Sequence, residues 1–135
     1  MALVECELAR VVMSETRHRQ VIVLKEKSGE RKMPIMIGLS EVFALHRVIN
    51  EEAPPRPLTH ELFGNVLDAL GVTVERVVIT QLVEGTYFGR LILKQNGQTY
   101  DIDSRPSDAI VLAAQKSAPI FVEEAVLEEG TRDYE

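Results

Sequence analysis

The residues best suited to chemistry are polar side chains that crowd the starts of two predicted helices. Residues 101–108 form a junction between a predicted strand and a predicted helix, and six of them are polar or charged: Asp101, Asp103, Ser104, Arg105, Ser107 and Asp108. A second group precedes another helix: Arg56, Thr59, His60 and Glu61. The free N–H groups and partial positive charge of a helix N-terminus bind phosphate and orient carboxylates. Both segments are therefore candidates for a polar site.

The aspartates of the first group suggest a cation site. Asp101 and Asp103 share one face of their strand, and Asp108 lies on the only polar strip of its helix. Three carboxylates could approach one Mg²⁺ or Mn²⁺ ion, since such ions prefer oxygen ligands. Simpler alternatives stay open, because Asp103 could pair with Arg90 and Asp101 could be solvated. By spacing alone, capping of the helix is favoured for three residues: Ser104, Ser107 and Asp108.

The histidines differ in their surroundings. His60 falls in the first turn of its helix, where it could act as a general acid or base or could bond to the backbone. His46 lies in the apolar face of another helix, which predicts a core or interface position. His18 stands in a polar turn and is expected to be solvated. Cys6 is the only cysteine, which indicates a small buried side chain and excludes an intrachain disulfide.

Several familiar activities lack their motifs. The sequence has no Gly-x-Ser-x-Gly elbow, no P-loop, no Gly-x-Gly-x-x-Gly and no His-Glu-x-x-His. A serine hydrolase using Ser107 and His60 has no specific motif behind it. Tyr87 and Phe88 are adjacent, and one of them must face inward on a strand, so a base-stacking platform is weakly indicated.

Composition and charge limit the remaining classes. The chain has 135 residues, 45% of them hydrophobic and 27% charged, as in an ordinary single domain. The formal net charge is -6, but residues 123–135 contribute -5 of it, so residues 1–122 are nearly neutral. A phosphate-bearing partner is therefore compatible with the sequence. No apolar run approaches the roughly 20 residues of a membrane span, which predicts a soluble, cytoplasmic protein without a membrane partner.

The elements that must position these residues follow from periodicity. Strands are predicted near 4–13, 21–24 and 33–37 as an antiparallel meander, and later at 72–82, 86–95 and 98–103. Helices are predicted over 40–50, from a cap at Thr59 to a stop at Gly71, and over 106–116. The pattern indicates an α+β domain over 1–122, with a mixed, mostly antiparallel sheet and about three packed helices. Residues 123–135 are expected to form an acidic C-terminal tail.

The Asn96-Gly97 pair is a strong signal for a two-residue hairpin turn. Counting outward from this turn predicts four facing pairs between the last two long strands: Leu93 with Tyr100, Ile92 with Asp101, Leu91 with Ile102 and Arg90 with Asp103. One face of the hairpin is therefore apolar, and the other carries two aspartates.

Five segments together resemble the bifunctional nuclease domain family, in order and spacing across nearly the whole chain: 33–38 followed by Glu41, then 55–62, 85–88, 103–110 and 119–122. The strongest element is the Arg-Pro-Ser-Asp-Ala run at 105–109. This sequence departs from the family pattern at Met36, where an aromatic residue is usual, and at Glu61, where aspartate is usual. The resemblance implies an α+β domain that self-associates and hydrolyses RNA and DNA. It marks eight polar positions: Glu41, Arg56, Thr59, His60, Asp103, Arg105, Ser107 and Asp108.

These observations predict a nuclease that hydrolyses phosphodiester bonds in RNA and DNA with little sequence preference. In this hypothesis Asp103 and Asp108 bind a divalent cation, Mg²⁺ or Mn²⁺, and Arg105 clamps a phosphate oxygen. His60 transfers the proton. The remaining candidates contact substrate or stay unassigned: Arg56, Thr59, Ser107 and Glu41. The alternative is a non-catalytic oligomeric module that binds an anionic small molecule or a partner protein. Either protein is expected to form a homodimer or a higher homo-oligomer.

Overall fold

A computed structural model describes residues 2–14, 20–132 and 134. In these residues seven strands and four helices follow in chain order: β1 (Leu3–Met13), β2 (Gln20–Glu26), β3 (Lys32–Ile37), α1 (Leu39–Ile49), α2 (Thr59–Ala69), β4 (Thr73–Val83), β5 (Thr86–Gln95), β6 (Gln98–Ser104), α3 (Pro106–Lys116), β7 (Ile120–Glu123) and α4 (Glu124–Arg132). The turn predicted around His18 lies outside the described residues.

All seven strands form one sheet, in the order β3-β2-β1-β7-β4-β5-β6. The predicted meander of β1, β2 and β3 is confirmed, and both of its pairings are antiparallel. Strand β7 pairs antiparallel with β1 and parallel with β4, which joins the two halves of the sheet. The α+β class with a mixed, mostly antiparallel sheet is confirmed, with four helices where about three were predicted. No helix among the described residues is long and apolar enough to cross a membrane.

The register predicted for the β5-β6 hairpin is confirmed at all four pairs. Asn96 and Gly97 both have positive φ, as a type I′ turn requires. Leu91 is buried on the face that carries the helices, whereas Asp101 and Asp103 lie on the opposite face beside Arg90. The turn therefore decides which side of β6 carries the carboxylates.

The core lies between one face of the sheet and the helices. Core residues alternate along the strands, as Ile22 with Leu24 and Val77 with Ile79 show, so one face of the sheet supplies them. Helix α3 packs on β4 and β5, and α1 and α2 pack against α3. Residues 109–113 are fully buried, which confirms the burial predicted from the nearly uniform apolar composition of α3. The start of α3 therefore sits on a rigid, buried support.

The acidic C-terminal segment does not extend from the domain as a tail over residues 123–132. Its helix α4 packs on the sheet, with Val126 and Leu127 at 5% and 0% exposure. Glu124 accepts hydrogen bonds from Arg31 in the β2-β3 connection, which ties the helix start to the domain. The acidic composition concealed an amphipathic helix, because two buried apolar residues are enough to dock so short an element.

Two local predictions for the helices require correction. The N-cap of α2 is Leu58 rather than Thr59, and the Leu58 N–H donates to the Glu61 carboxylate over 3.1 Å. His46 is exposed, because α1 turns Val42 and Leu45 inward, so a core position is wrong and the interface position stays a prediction. The apolar stripe of α2 is also largely exposed: only Leu67 is buried, and the others remain at the surface: Leu62, Phe63, Val66 and Leu70.

Candidate active site

A cleft of about 770 Å³ opens where the starts of α1, α2 and α3 meet the end of β6. We call it the first cleft. Its polar lining includes six of the sequence candidates: Glu41, Thr59, His60, Asp103, Arg105 and Asp108. Its apolar lining comes from α1, α2 with its cap, α3, β5 and β6, with Phe43 and Phe63 on its walls. The size is typical of a ligand site.

His60 and Asp108 meet in the first cleft, although they are 48 residues apart in sequence. His60 Nε2 lies 2.9 Å from Asp108 Oδ1. His60 is in the first turn of α2, and Asp108 is in the first turn of α3, so the packing of α2 on α3 creates the contact. The start of α2 therefore packs against the strand-to-helix junction, which the proton-transfer role hypothesised for His60 requires. His60 is 9% exposed, so little of its ring reaches solvent.

Arg105 holds the same carboxylate from the other side. Its Nε donates to Asp108 Oδ2 over 2.8 Å and its Nη2 donates to Oδ1 over 3.1 Å. Burial by itself raises the pKa of the Asp108 carboxyl, but hydrogen bonds from Arg105 and His60 outweigh it and keep that pKa below its ordinary value. Asp108 is therefore ionised at neutral pH. The hydrogen bonds that Arg105 donates to this carboxylate raise the pKa of Arg105 in turn.

Glu41 extends this polar chain. Its Oε1 accepts the Gly38 N–H over 3.1 Å at the start of α1 and lies 3.7 Å from Arg105 Nη2. The Glu41 side chain is only 8% exposed, whereas Arg105 is 66% exposed. The buried carboxylate therefore orients the guanidinium and leaves its outer edge open to the cleft. A phosphate oxygen placed there would meet a fixed positive charge.

The other sequence candidates have different positions. Thr59 lines the first cleft beside His60, whereas Arg56 is exposed in the loop before α2 and lines neither cleft described here. Ser107 is 6% exposed and lines a second cleft on the other side of Arg105. Asp103 lines the first cleft, but its Oδ1 lies 3.5 Å from Arg90 Nη1. The cross-strand ion pair considered for Asp103 is thus present.

The donor set does not fit the divalent cation predicted from the three aspartates. Asp101 accepts from Arg90 Nε over 2.7 Å, so it is not merely solvated, and Asp108 has both oxygens bonded to Arg105 or His60. Within residues 2–14, 20–132 and 134, no three His, Cys, Asp or Glu side chains are grouped so that they could hold a metal ion. The Arg105 guanidinium holds Asp108, and the Arg90 guanidinium lies against Asp101 and Asp103. Strand and helix spacing could not reveal these arginine contacts.

Sequence reasoning missed two contributions to the cleft. Arg47, from the second half of α1, lines it and donates to both oxygens of Glu61 over 2.7 and 3.1 Å. The Arg47 hydrogen bonds keep the pKa of Glu61 low, so Glu61 is a structural carboxylate that joins α1 to α2. Phe43 and Phe63 are 45% and 42% exposed on the walls. Among these residues, only Glu61 has a recognisable sequence signal. It is the third helical residue after the N-cap Leu58, a position where a glutamate caps the helix.

The site combines a histidine that Asp108 holds in one orientation with an arginine edge that is suited to binding an anion. Because the ionised Asp108 accepts from Nε2–H, neutral His60 carries its lone pair on Nδ1. That nitrogen makes no hydrogen bond to any residue in the described ranges. A carboxylate that accepts from one ring nitrogen fixes the orientation and the tautomer of an imidazole. The site can therefore move a proton next to a phosphate bound at Arg105.

The fold and this site define a single α+β domain with a histidine-aspartate pair and an arginine at one sheet edge. The sequence matches the family described as the bifunctional nuclease domain over residues 22–135, and the chain belongs to that family. The matched range contains every candidate residue of the first cleft. The resemblance noted from the five motifs is thus confirmed.

Individual relatives agree with this assignment. An uncharacterized protein of Mycobacterium tuberculosis is 37% identical over 123 residues, which cover 91% of this chain and 73% of that protein. Bifunctional nuclease 1 of Oryza sativa subsp. indica is 28% identical over 108 residues, or 78% of this chain and 33% of its own length. Bifunctional nuclease 1 of Arabidopsis thaliana is 30% identical over 105 residues, or 75% and 32%. The chain therefore spans about a third of each of these plant proteins.

Proposed function

We propose that this protein is a nuclease that hydrolyses phosphodiester bonds in RNA and DNA at the first cleft. The observation that carries the proposal is the 2.9 Å contact between His60 Nε2 and Asp108 Oδ1, with Arg105 on the same carboxylate. Membership in the bifunctional nuclease domain family supports a nuclease role in general. The near-neutral charge of residues 1–122 is compatible with a substrate held by a few specific contacts.

In the proposed reaction Arg105 binds a non-bridging oxygen of the scissile phosphate through its exposed edge. His60 Nδ1 accepts a proton from a water molecule as the water oxygen bonds to phosphorus. The bond from phosphorus to the leaving oxygen breaks on the opposite side, and that oxygen takes a proton from solvent. Asp108 stabilises the imidazolium that forms, and Arg105 stabilises the charge on the phosphate oxygens. A water nucleophile explains why both RNA and DNA are substrates, since no 2′-hydroxyl is required.

This proposal assigns no step to a metal ion. The basis is the donor set, in which Arg90 engages Asp103 while Arg105 and His60 engage Asp108. Little sequence preference is expected as well, because the Phe43 and Phe63 rings on the walls of the cleft can stack on any base.

The experiment compares Arg105→Gln with Arg132→Gln, two arginines of similar side-chain exposure, 66% and 72%. Cleavage of labelled single-stranded RNA and DNA is measured in EDTA and in Mg²⁺ on samples of equal folded fraction. We expect Arg105→Gln to lower kcat/KM by roughly a hundredfold or more and Arg132→Gln to retain normal rates. Equal cleavage by both variants would assign the activity to a contaminant and favour the non-catalytic binding module.

The surface proposed to bind a second copy of the chain is an exposed apolar face around the mouth of the first cleft. It consists of nine large side chains on α1, α2 with its cap, and the edge strand β6: Leu39, Phe43, Leu58, Leu62, Phe63, Val66, Leu70, Tyr100 and Ile102. Each is about half exposed, so at roughly 200 Å² for a fully exposed side chain they leave about 900 Å² uncovered. That exceeds the usual patch of a monomer and equals one side of a standard interface. We therefore expect a homodimer through this face.

Light scattering tests the dimer with a double variant, Leu62→Glu with Val66→Glu, and a matched control, Leu3→Glu with Val83→Glu. The control residues are also exposed apolar side chains, at 36% and 50%, outside the apolar face. Wild type and control should have twice the chain mass of 15.1 kDa, and the double variant should have the chain mass. A wild-type particle of one chain at tens of micromolar, roughly the working range of a standard interface, would contradict the dimer.

A further inference from the structure

A second cleft of about 530 Å³ lies on the other side of Arg105 and Glu41. Both residues line both clefts, so the Arg105 guanidinium and the Glu41 carboxylate form the partition between them. The wall of the second cleft comes from β3, from the β4-β5 turn and from the first turn of α3. The catalytic hypothesis described above uses none of these β3 and turn residues.

The lining of the second cleft suits a planar, amphipathic group. Met36 and Pro34 from β3 and the Tyr87 ring from β5 provide apolar surface. Met36 is 66% exposed even though it lies on this wall, which leaves its thioether free to contact a ligand. Thr86 and Ser107 add hydroxyl groups beside the apolar residues. A nucleoside has the same combination of a flat apolar base and polar sugar oxygens.

Ser107 adds a polar group and a helix start to the wall of the second cleft. The residue is 94% buried, being 6% exposed, and it lines the second cleft. Its hydroxyl oxygen is not among the buried side-chain atoms that lack a hydrogen-bond partner in the described residues, so it is accessible to a group bound in the cleft. Ser107 also stands at the second position of α3, where the backbone N–H is free to bind an anion.

We infer that the substrate strand crosses the Arg105 partition, with one nucleoside in each cleft and the scissile phosphate between them. This inference rests on the proposed function, because it adds a second subsite to the same phosphate position. A nucleoside in the second cleft stacks against Met36 and Tyr87, and the Ser107 hydroxyl bonds to its sugar or to the adjoining phosphate. The protein therefore acts on internal linkages of single strands, which have unpaired bases on both sides of the phosphate.

Two substrates separate the second cleft from the reaction itself. A single-stranded tetranucleotide occupies both clefts, whereas methyl p-nitrophenyl phosphate is a phosphodiester with one bulky group and needs only the first. Met36→Trp fills the second cleft from β3, and Thr86→Trp fills it from β5. Met13→Trp is the matched control, because Met13 is an exposed methionine on another strand, outside both clefts.

We expect Met36→Trp and Thr86→Trp to lower kcat/KM for the tetranucleotide by tenfold or more and to change that for the small diester by less than twofold. Met13→Trp should match wild type on both substrates. Normal tetranucleotide cleavage by both filled variants would overturn the second subsite while leaving the proposed function intact. Parallel loss on both substrates, with unchanged thermal unfolding, would overturn it too. A wild-type protein that cleaves neither substrate would instead contradict the proposed function.

Discussion

Asp108→Asn separates the structural and catalytic consequences of the central carboxylate. Asp108 accepts three hydrogen bonds, one from His60 and two from Arg105. An asparagine retains one acceptor oxygen, and its amide nitrogen cannot accept from either partner. Because the side chain is 33% exposed, solvent screens part of the loss, and we expect about 1 to 2 kcal/mol less stability. For a chain of this length the melting temperature should fall by roughly 3 to 8 °C.

The pH dependence of this stability difference follows from the lowered pKa of Asp108. The folded state holds that pKa below the value of about 3.9 typical of an unfolded chain. The stabilisation is therefore fully present above about pH 4 and is lost as the pH falls through the folded pKa. The difference in thermal unfolding between wild type and variant should therefore narrow as the pH falls below about 4.

Activity should respond to the same substitution far more strongly than stability does. Without the charge on Asp108, His60 loses its fixed tautomer and its imidazolium loses stabilisation. We expect cleavage per folded molecule to fall by a factor on the order of 10² to 10⁴. The reasoning is refuted if Asp108→Asn melts several degrees lower but cleaves normally, since Asp108 is then a helix cap alone. A stability gap that persists unchanged at pH 3 would show that the carboxylate charge is not its source.

Three further predictions concern the support of the site. Glu61→Ala should cost about 1 to 3 kcal/mol in denaturant unfolding, because it leaves Arg47 without its carboxylate at 17% exposure; a loss below 0.5 kcal/mol would contradict this role. Leu127→Ala in α4 should lower the free energy of unfolding by about 2 to 4 kcal/mol, whereas Glu128→Ala, at an exposed position, should change it by no more than about 0.5 kcal/mol. Equal losses in the two variants would show that α4 does not dock. Burial raises the pKa of Cys6 to about 11, so a thiol reagent at pH 8 should label the native protein slowly and the unfolded protein at once; equal labelling rates would contradict the burial.

The parts of the fold that the sequence predicts well are those that depend on local interactions. Asn96 and Gly97 adopt positive φ because of their own backbone preferences, and the register of β5 with β6 follows by counting. The stop of α2 at Gly71 depends on a positive φ of the same kind. The burial of α3 is also predictable, because a helix that is apolar on all sides has no face to turn towards water.

The parts that the sequence predicts poorly depend on which elements meet. An apolar stripe on α2 reads as core, but α3 covers only Leu67, and the remaining apolar residues stay at the surface. In α4 the glutamates dominate the composition, while the docking depends on Val126 and Leu127. Similarly, His60 and Asp108 are each recognisable as candidates, but their contact across 48 residues requires the packing of two helices.

The assignment of the aspartates shows the same limit at the level of chemistry. Strand alternation correctly places Asp101 and Asp103 on one face, and helix spacing correctly exposes the Asp108 side of α3. Neither rule shows which positively charged side chains lie next to these aspartates. Arg90 and Arg105 lie against these carboxylates, and this is why the proposed reaction uses the pair of His60 and Asp108 and no metal ion.

The most direct test of the central claim is cleavage of single-stranded RNA and DNA by His60→Gln beside His46→Gln. Both residues are helical histidines, but His60 bonds to Asp108 in the first cleft, whereas His46 is exposed and outside it. With all samples purified identically, we expect His60→Gln to lose at least about a hundredfold in rate on both substrates and His46→Gln to match wild type. Wild-type rates for folded His60→Gln would contradict the account of the first cleft as an acid-base active site.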